Sequence, residues 1–329
     1  MVRVAHEKST FKAELRLEPV SGGAEMGDRL LNQYRGVLLG AALGYVLGMN
    51  RQAQAQPDWR QVERWGFEAA AMPAQATRLG KTILSLGESL VHQPRQAVVL
   101  PSAILADPSA LAIATLPLAL YTHDHPAQLR SHLQRLNAPA ASLAVALAFG
   151  EILSQAMHAD QPPQTLIESA IAAQDLIRIA PDLTTALLRV HLAASADSLA
   201  IARQTLSAET PAEYLPLCLA LYCVLSAPEH SAIALLRAAR ISASPLTSAL
   251  AGALCGAKNG SSSLPATWRV QAHQSGSLAA LWGISEATLD SLATRLFAGW
   301  AGVYVPTFQN GKLPHPAWVV APAGKLRPR

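Results

Sequence analysis

Glycine falls at every fourth position of Gly36-Val-Leu-Leu-Gly40-Ala-Ala-Leu-Gly44-Tyr-Val-Leu-Gly48, and no other feature of this sequence constrains the fold as tightly. Residues four apart share one face of a helix, so the four glycines form a single smooth stripe. Each glycine inside a helix costs about 1 kcal/mol relative to alanine, so four in register need a compensating gain. Close backbone packing is the simplest one, and it is favoured over a ligand cradle. The stretch therefore predicts a central helix crossed tightly by others. A second small-residue helix, Thr247-Ser-Ala-Leu-Ala-Gly252-Ala-Leu-Cys-Gly256, carries two glycines four apart. A Gly- and Ser-rich loop and the segment Leu264-Pro265-Ala-Thr-Trp268 follow it.

The remaining sequence reads as helix after helix. Half of the 329 residues are apolar, the excess is carried by Ala and Leu, and aromatics make up only 5%. Ala and Leu are strong helix formers, so this mix favours closely packed helices over a β-sandwich. Apolar periodicity predicts helices over residues 29–49, 76–92, 108–121, 126–136, 139–158, 163–180, 183–194, 198–206, 212–225, 229–240, 245–257 and 286–300. Pro108, Pro126, Pro139, Pro163 and Pro245 stand at helix starts, where the missing N–H costs nothing. Asp28 reads as the N-cap of the first helix, and Asp124 as the cap before Pro126. No fixed period of a solenoid is present. The expected architecture is all-α, a compact many-helix orthogonal bundle.

Three regions are expected: an N-terminal arm over 1–25, a helical domain over 26–305 and a tail over 306–329. Thr10-Phe-Lys-Ala-Glu-Leu-Arg-Leu-Glu18 alternates apolar and charged residues, as a short strand or extended arm would, before Pro19 and Ser21-Gly22-Gly23 break it. The tail is rich in Pro and Gly and ends basic.

Several function classes are disfavoured. The net charge of +4 is small and its Lys and Arg are scattered, so nucleic acid is not an expected partner. Cys218, Cys223 and Cys255 sit in apolar helical runs and read as buried thiols, not as disulfides or a zinc site. The runs 37–49 and 214–225 are short of the roughly 18–20 apolar residues of a membrane helix, so no membrane span and a cytoplasmic location are expected. Thr122-His123-Asp124-His125 invites a metal reading, but a solvated helix cap is the stronger one. No Gly-x-Ser-x-Gly elbow, phosphate loop or Cys/His pairing appears.

The two glycine-bearing helices together carry a resemblance. Arg35-Gly-Val-Leu-Leu-Gly-Ala-Ala-Leu-Gly-Tyr-Val-Leu-Gly48 resembles the opening Arg-Gly-x-Leu-x-Gly-x-Ala-x-Gly-Asp-Ala-x-Gly motif of ADP-ribosylglycohydrolases. Residues 247–268 are similar to that family's late motif, a Thr-Gly-Ala-x-x-Gly-Ala helix followed by Ile-Pro-x-x-Trp. The likeness covers about residues 29–300 in the same order. It implies an all-α fold, with Gly36, Gly40, Gly44, Gly48, Gly252, Gly256, Pro265 and Trp268 at structural motif positions. In active members two Mg²⁺ ions bind the ribose diols.

The departures fall where those ions would be held. The family's Gly-Asp-Ala is Gly44-Tyr45-Val46 here, and its Thr-Asp-Asp-Thr motif falls where this chain reads Thr77-Arg-Leu-Gly-Lys81-Thr82. Its late aspartate motif falls near Arg237-Ala-Ala-Arg240-Ile-Ser242. Mg²⁺ wants carboxylate oxygens in octahedral geometry, which Tyr, Thr, Ser, Lys and Arg do not supply. The resemblance thus implies no catalytic residue, no metal and no cofactor, and marks Tyr45, Thr77, Lys81, Thr82, Arg237, Arg240 and Ser242 as candidate ligand-binding positions. The expected function is a non-catalytic, scaffold-like relative that binds another protein or a nucleotide-like ligand. Two alternatives stand beside it. One is a Mg²⁺-dependent hydrolase with a metal site remodelled from Glu63, Glu68, Glu88 or Asp107. The other is a structural subunit of a larger assembly.

Overall fold

The computed structural model describes residues 21–54, 58–67, 76–92, 99–158, 165–172, 178, 180–194 and 198–302. The alternating segment at 10–18, the prolines at 19 and 163, and all of the expected tail lie outside them. Among the described residues every regular element is a helix, as expected from composition. In chain order these are α1 (Ser21–Ala53), α2 (Val62–Trp65), α3 (Ala76–His92), α4 (Ser102–Ala106), α5 (Pro108–Ala114), α6 (Leu116–Tyr121), α7 (Pro126–Gln134) and α8 (Ala140–Met157). There follow α9 (Thr165–Ala172), α10 (Pro181–Ala193), α11 (Leu199–Glu209), α12 (Leu215–Leu225), α13 (Ser231–Ile241), α14 (Pro245–Asn259), α15 (Ala266–Gln274) and α16 (Glu286–Trp300). A single π-turn, Leu278–Trp282, precedes α16 and ends at Gly283 with φ of 90°.

The bundle is organised around α1 and α14, which lie antiparallel with their glycine faces interlocked. A Cβ on Gly36 would stand 2.5 Å from the Gly256 carbonyl oxygen, and one on Gly48 would stand 2.7 Å from Pro245 Cα. Between them, Cβ atoms on Gly40 and Gly44 would run into the carbonyls of Gly252 and Ser248, and one on Gly252 into that of Gly40. The obstacle at each step is backbone, which cannot rotate aside as a side chain does. Gln33 fastens the top of the pair: its Nε2 donates to the Ala257 carbonyl at 2.7 Å and to the Met157 carbonyl at 3.0 Å, joining α1, α14 and α8. The loop after α14 is tied to α1. The Asn32 side-chain oxygen accepts from the Ser261 amide at 3.1 Å and from its hydroxyl at 2.6 Å.

Around this pair, α12, α13, α5 and α8 pack on α14, while α16 and the π-turn pack on α1. Helix α3 bridges α16, α6 and the π-turn, and α9 to α11 form an outer layer against α8 and α12. Helix α8 corrects the membrane expectation in one respect. Its 18 residues are long and apolar enough to cross a membrane, yet two-thirds of them are buried in the bundle. That is the behaviour of a core helix, apolar all round because it is surrounded.

Several local expectations change. Helix α1 starts at Ser21, so Asp28 lies inside it and is not its cap. The run 108–121 is two helices broken at Thr115. Pro117 has no N–H for the carbonyl one turn back, and the Thr115 hydroxyl donates to the Leu111 carbonyl at 2.8 Å. The N-cap of α7 is His125, not Asp124, and its side chain makes no cap bond. Pro139 sits at the cap of α8, one place before its first turn. The short α2, α4 and α15 were not foreseen.

Cys218, Cys223 and Cys255 are all buried and unpaired, as expected. Burial pushes the thiols of Cys218 and Cys255 up to about 12 and that of Cys223 still higher. Thiolate, not thiol, is the reactive form. A disulfide-exchange reagent at pH 8 is therefore expected to titrate almost no thiol in the folded protein and all three after denaturation. Rapid native labelling would mean that the α12–α14 packing opens.

Candidate functional site

The segments that carry the motif positions meet at a cleft of about 580 Å³ beside the lower end of the α1–α14 pair. Helix α1 contributes Tyr45 and Met49, α3 contributes Leu79, the α4–α5 corner contributes Ile104 and Asp107, and the approach to α14 contributes Ala243 to Leu246. The wall is largely apolar.

Tyr45 follows from the glycine ladder. Gly44 is pressed on Ser248 of α14, which turns the next side chain to the flank of the contact. There the Tyr45 ring packs on Trp282 at 5.2 Å between centroids and is only 6% exposed. Burial raises its phenol above the ordinary value. Trp282 is held by the π-turn, and α3 reaches it because Gly80 has no side chain. A Cβ there would stand 2.8 Å from Trp282 Cδ1. The glycine within Thr77-Arg-Leu-Gly80-Lys81-Thr82 is thus explained by packing.

Ser242 lies just before the cleft wall and serves α14. Its hydroxyl oxygen accepts from the Ser244 amide at 3.0 Å and from the Thr247 hydroxyl at 2.9 Å. The Ser244 hydroxyl caps the helix by accepting from the Leu246 amide at 3.3 Å. The segment where the family resemblance placed aspartates is here a cap built from two serines. Asp107 is also a cap: its Oδ1 accepts from the amides of Ser109 and Ala110 at 2.9 and 3.1 Å. Its Oδ2 has no hydrogen bond among the described residues.

The other candidate positions do not converge here. Arg237 Nη1 donates to the carbonyl and hydroxyl of Ser226, each at 2.9 Å, and so locks α13 to the end of α12. Arg240 and Lys81 are exposed and do not line the cleft; Thr82 is half-buried and does not line it either. Thr77 lies in the first turn of α3, its side chain outside the described residues. Trp268 is buried against Phe67 at 5.5 Å between ring centroids, and Pro265 occupies the N-cap position of α15. Met49, Pro101 and Ile104, which line the cleft, had no signal in the sequence beyond apolarity.

These residues do not fit Mg²⁺. The cleft lining holds one carboxylate among the described residues, Asp107, and one of its oxygens is committed to a cap. Among the described residues no three of His, Cys, Asp and Glu gather as a metal would need. Of the other acids considered, Glu63 is exposed on α2, Glu88 pairs with Arg295 at 3.5 Å, and Glu68 lies outside the described residues. The run Thr122-His123-Asp124-His125 forms no metal centre either. His123 is buried, with Nδ1 at 2.9 Å from the Leu120 carbonyl and its ring 4.9 Å from that of Trp300.

Comparison with known proteins agrees with this geometry. The family described as ADP-ribosylglycohydrolase matches residues 63–305. That span takes in α3 and the late glycine helix and leaves the early one outside. A solved structure described as an ADP-ribosylglycohydrolase-related protein complex superposes with a TM-score of 0.55 at 15% identity, covering 83% of this chain and 99% of that one. No curated protein matches. With a family match over most of its length and a bundle that superposes on a related structure, the chain belongs to the ADP-ribosylglycohydrolase family.

Proposed function

We propose that this chain is a non-catalytic member of its family, in which the central cleft is kept for binding and not for hydrolysis. The observation that carries this reading is the content of the cleft wall: Tyr45, Leu79 and the Ser244 cap stand where the motif segments meet, and Asp107 is its one described carboxylate. A Mg²⁺-dependent hydrolase needs several carboxylate oxygens converging on one point. A lone exposed acid that already caps a helix does not provide that.

The positions that would have suited a nucleotide-like ligand weigh against one. Lys81 and Arg240 are exposed and Arg237 is spent on Ser226, so these three basic groups lie away from the cleft. A role with a protein partner draws support from the solved relative, which is described as a complex.

The test is to incubate the purified chain with ADP-ribosylated protein and excess Mg²⁺, and to titrate it with ADP-ribose by calorimetry with and without the metal. No released ADP-ribose and no metal-dependent heat are expected. Release that requires Mg²⁺ and is abolished by chelation would overturn the reading.

A further inference from the structure

We infer that the cleft takes a small amphipathic amine, an alkyl or aryl body ending in one ammonium group. The inference rests on the proposed non-catalytic reading and names the ligand class of the same site.

Three observations lead to it. First, the cleft has the size and character of a small-molecule site. Its volume of about 580 Å³ is walled by Met49, Leu79, Ile104 and Leu246, and pockets of roughly 300–1,000 Å³ with apolar walls and few polar groups are the usual form of such sites. Second, the described lining carries charge of one sign. Asp107 is the one ionised side chain among the described lining residues. Its Oδ1 is occupied by two backbone amides, which leaves Oδ2 to receive a ligand. One open oxygen suits an ammonium, a compact point donor, better than the two-pronged fork of a guanidinium. The same carboxylate would repel the phosphates of a nucleotide. Third, Tyr45 places a polar end in an otherwise apolar wall. The residue is 94% buried by difference from its 6% exposure, lines the cleft, and its hydroxyl makes no hydrogen bond among the described residues. A phenol hydroxyl both donates and accepts, so it can bond a ligand's polar end in place of water. Tyr45 and Asp107 are thus polar groups with bonding capacity to spare, set in walls that would cover the body of the ligand.

The probes are hexylammonium, phenethylammonium, their neutral alcohols and the matching carboxylates, titrated by calorimetry or ligand-observed NMR into the full chain. The ammonium ligands are expected to bind about tenfold or more tightly than the alcohols, and the carboxylates not to bind. The preference should weaken as salt rises, because Asp107 sits at an exposed rim. In Asp107→Asn the preference should vanish while the fold persists, since asparagine caps a helix as well as aspartate does. In Tyr45→Phe affinity should fall severalfold for both ammonium and alcohol. Equal binding of alcohol and ammonium, a preference for carboxylates, or no saturable binding of any probe would overturn the inference and leave the non-catalytic reading standing. Binding of ADP-ribose that requires Mg²⁺, with release of product from a modified protein, would instead overturn that reading.

Discussion

Replacing Gly40 by alanine is expected to destabilise this protein by about 3 kcal/mol or more, against the sign that helix propensity gives. Propensity alone predicts a gain of about 1 kcal/mol, because alanine costs less order in a helix than glycine. The added methyl, however, would meet the Gly252 carbonyl across the α1–α14 contact. Overpacking a dense core costs about 1–3 kcal/mol when side chains can give way. Here the obstacle is main chain, so relief requires the two central helices to separate, and with them the packing of α12, α13 and α8 on α14. Gly252→Ala should behave alike, since its methyl would strike the Gly40 carbonyl. Gly27→Ala is the control: it lies on the same helix with nothing within 4 Å of the new Cβ. It should be neutral or stabilise by up to about 1 kcal/mol. Thermal or denaturant unfolding of the three variants decides the matter. A stable Gly40→Ala would mean that the helices do not touch at this step.

How far the fold was legible follows from the range over which each signal acts. The glycine ladder, the apolar helices and the proline starts are local patterns, and they gave the bundle and most helix positions. That the 36–48 stripe would seat on 245–256 in antiparallel register was not legible, because either stripe could have met any smooth neighbour. The break at Thr115 was hidden by a continuous apolar run that reads the same whether or not Pro117 interrupts it. Helix α15 was missed because Ala-Thr-Trp-Arg-Val-Gln-Ala-His-Gln has little apolar period; its place is set by Trp268 packing on Phe67.

The site divides in the same way. Tyr45 was marked because it stands where the family's early Gly-Asp-Ala motif has its aspartate. Helical phase separates the others. Leu79 faces the cleft, and Lys81, two residues on, is turned about 200° away at 3.6 residues per turn. Arg237 is fixed by a partner eleven residues earlier in the chain, Ser226, a bond that sequence spacing does not reveal. Asp107 was readable as a cap before Pro108, but its place at the cleft depends on how α4 and α5 lie against α1, which is a tertiary fact.

Restoring the family's acid by Tyr45→Asp is expected to damage the protein without giving it a metal. The substitution removes an aromatic ring that is almost fully buried against Trp282, and large-to-small changes of this kind cost about 3–5 kcal/mol. It also leaves a carboxyl among apolar neighbours, which favours the neutral acid and raises its pKa above about 3.9. The direction with pH follows. A carboxyl whose folded-state pKa is raised contributes most below its unfolded value, and that contribution is lost as pH climbs to the folded value. The stability deficit of the variant should therefore widen between pH 4 and pH 7, by up to about 1.4 kcal/mol for each unit by which the pKa is raised. At neutral pH the melting temperature should fall by roughly 10 °C or more. Adding Mg²⁺ should not restore it, because Asp107 is the one other carboxylate among the described residues of the cleft and its Oδ1 is held by the α5 amides. A Mg²⁺-dependent rise in melting temperature for the variant, absent from the parent chain, would show that further oxygen ligands still converge on position 45. It would place this chain one substitution away from a metal site.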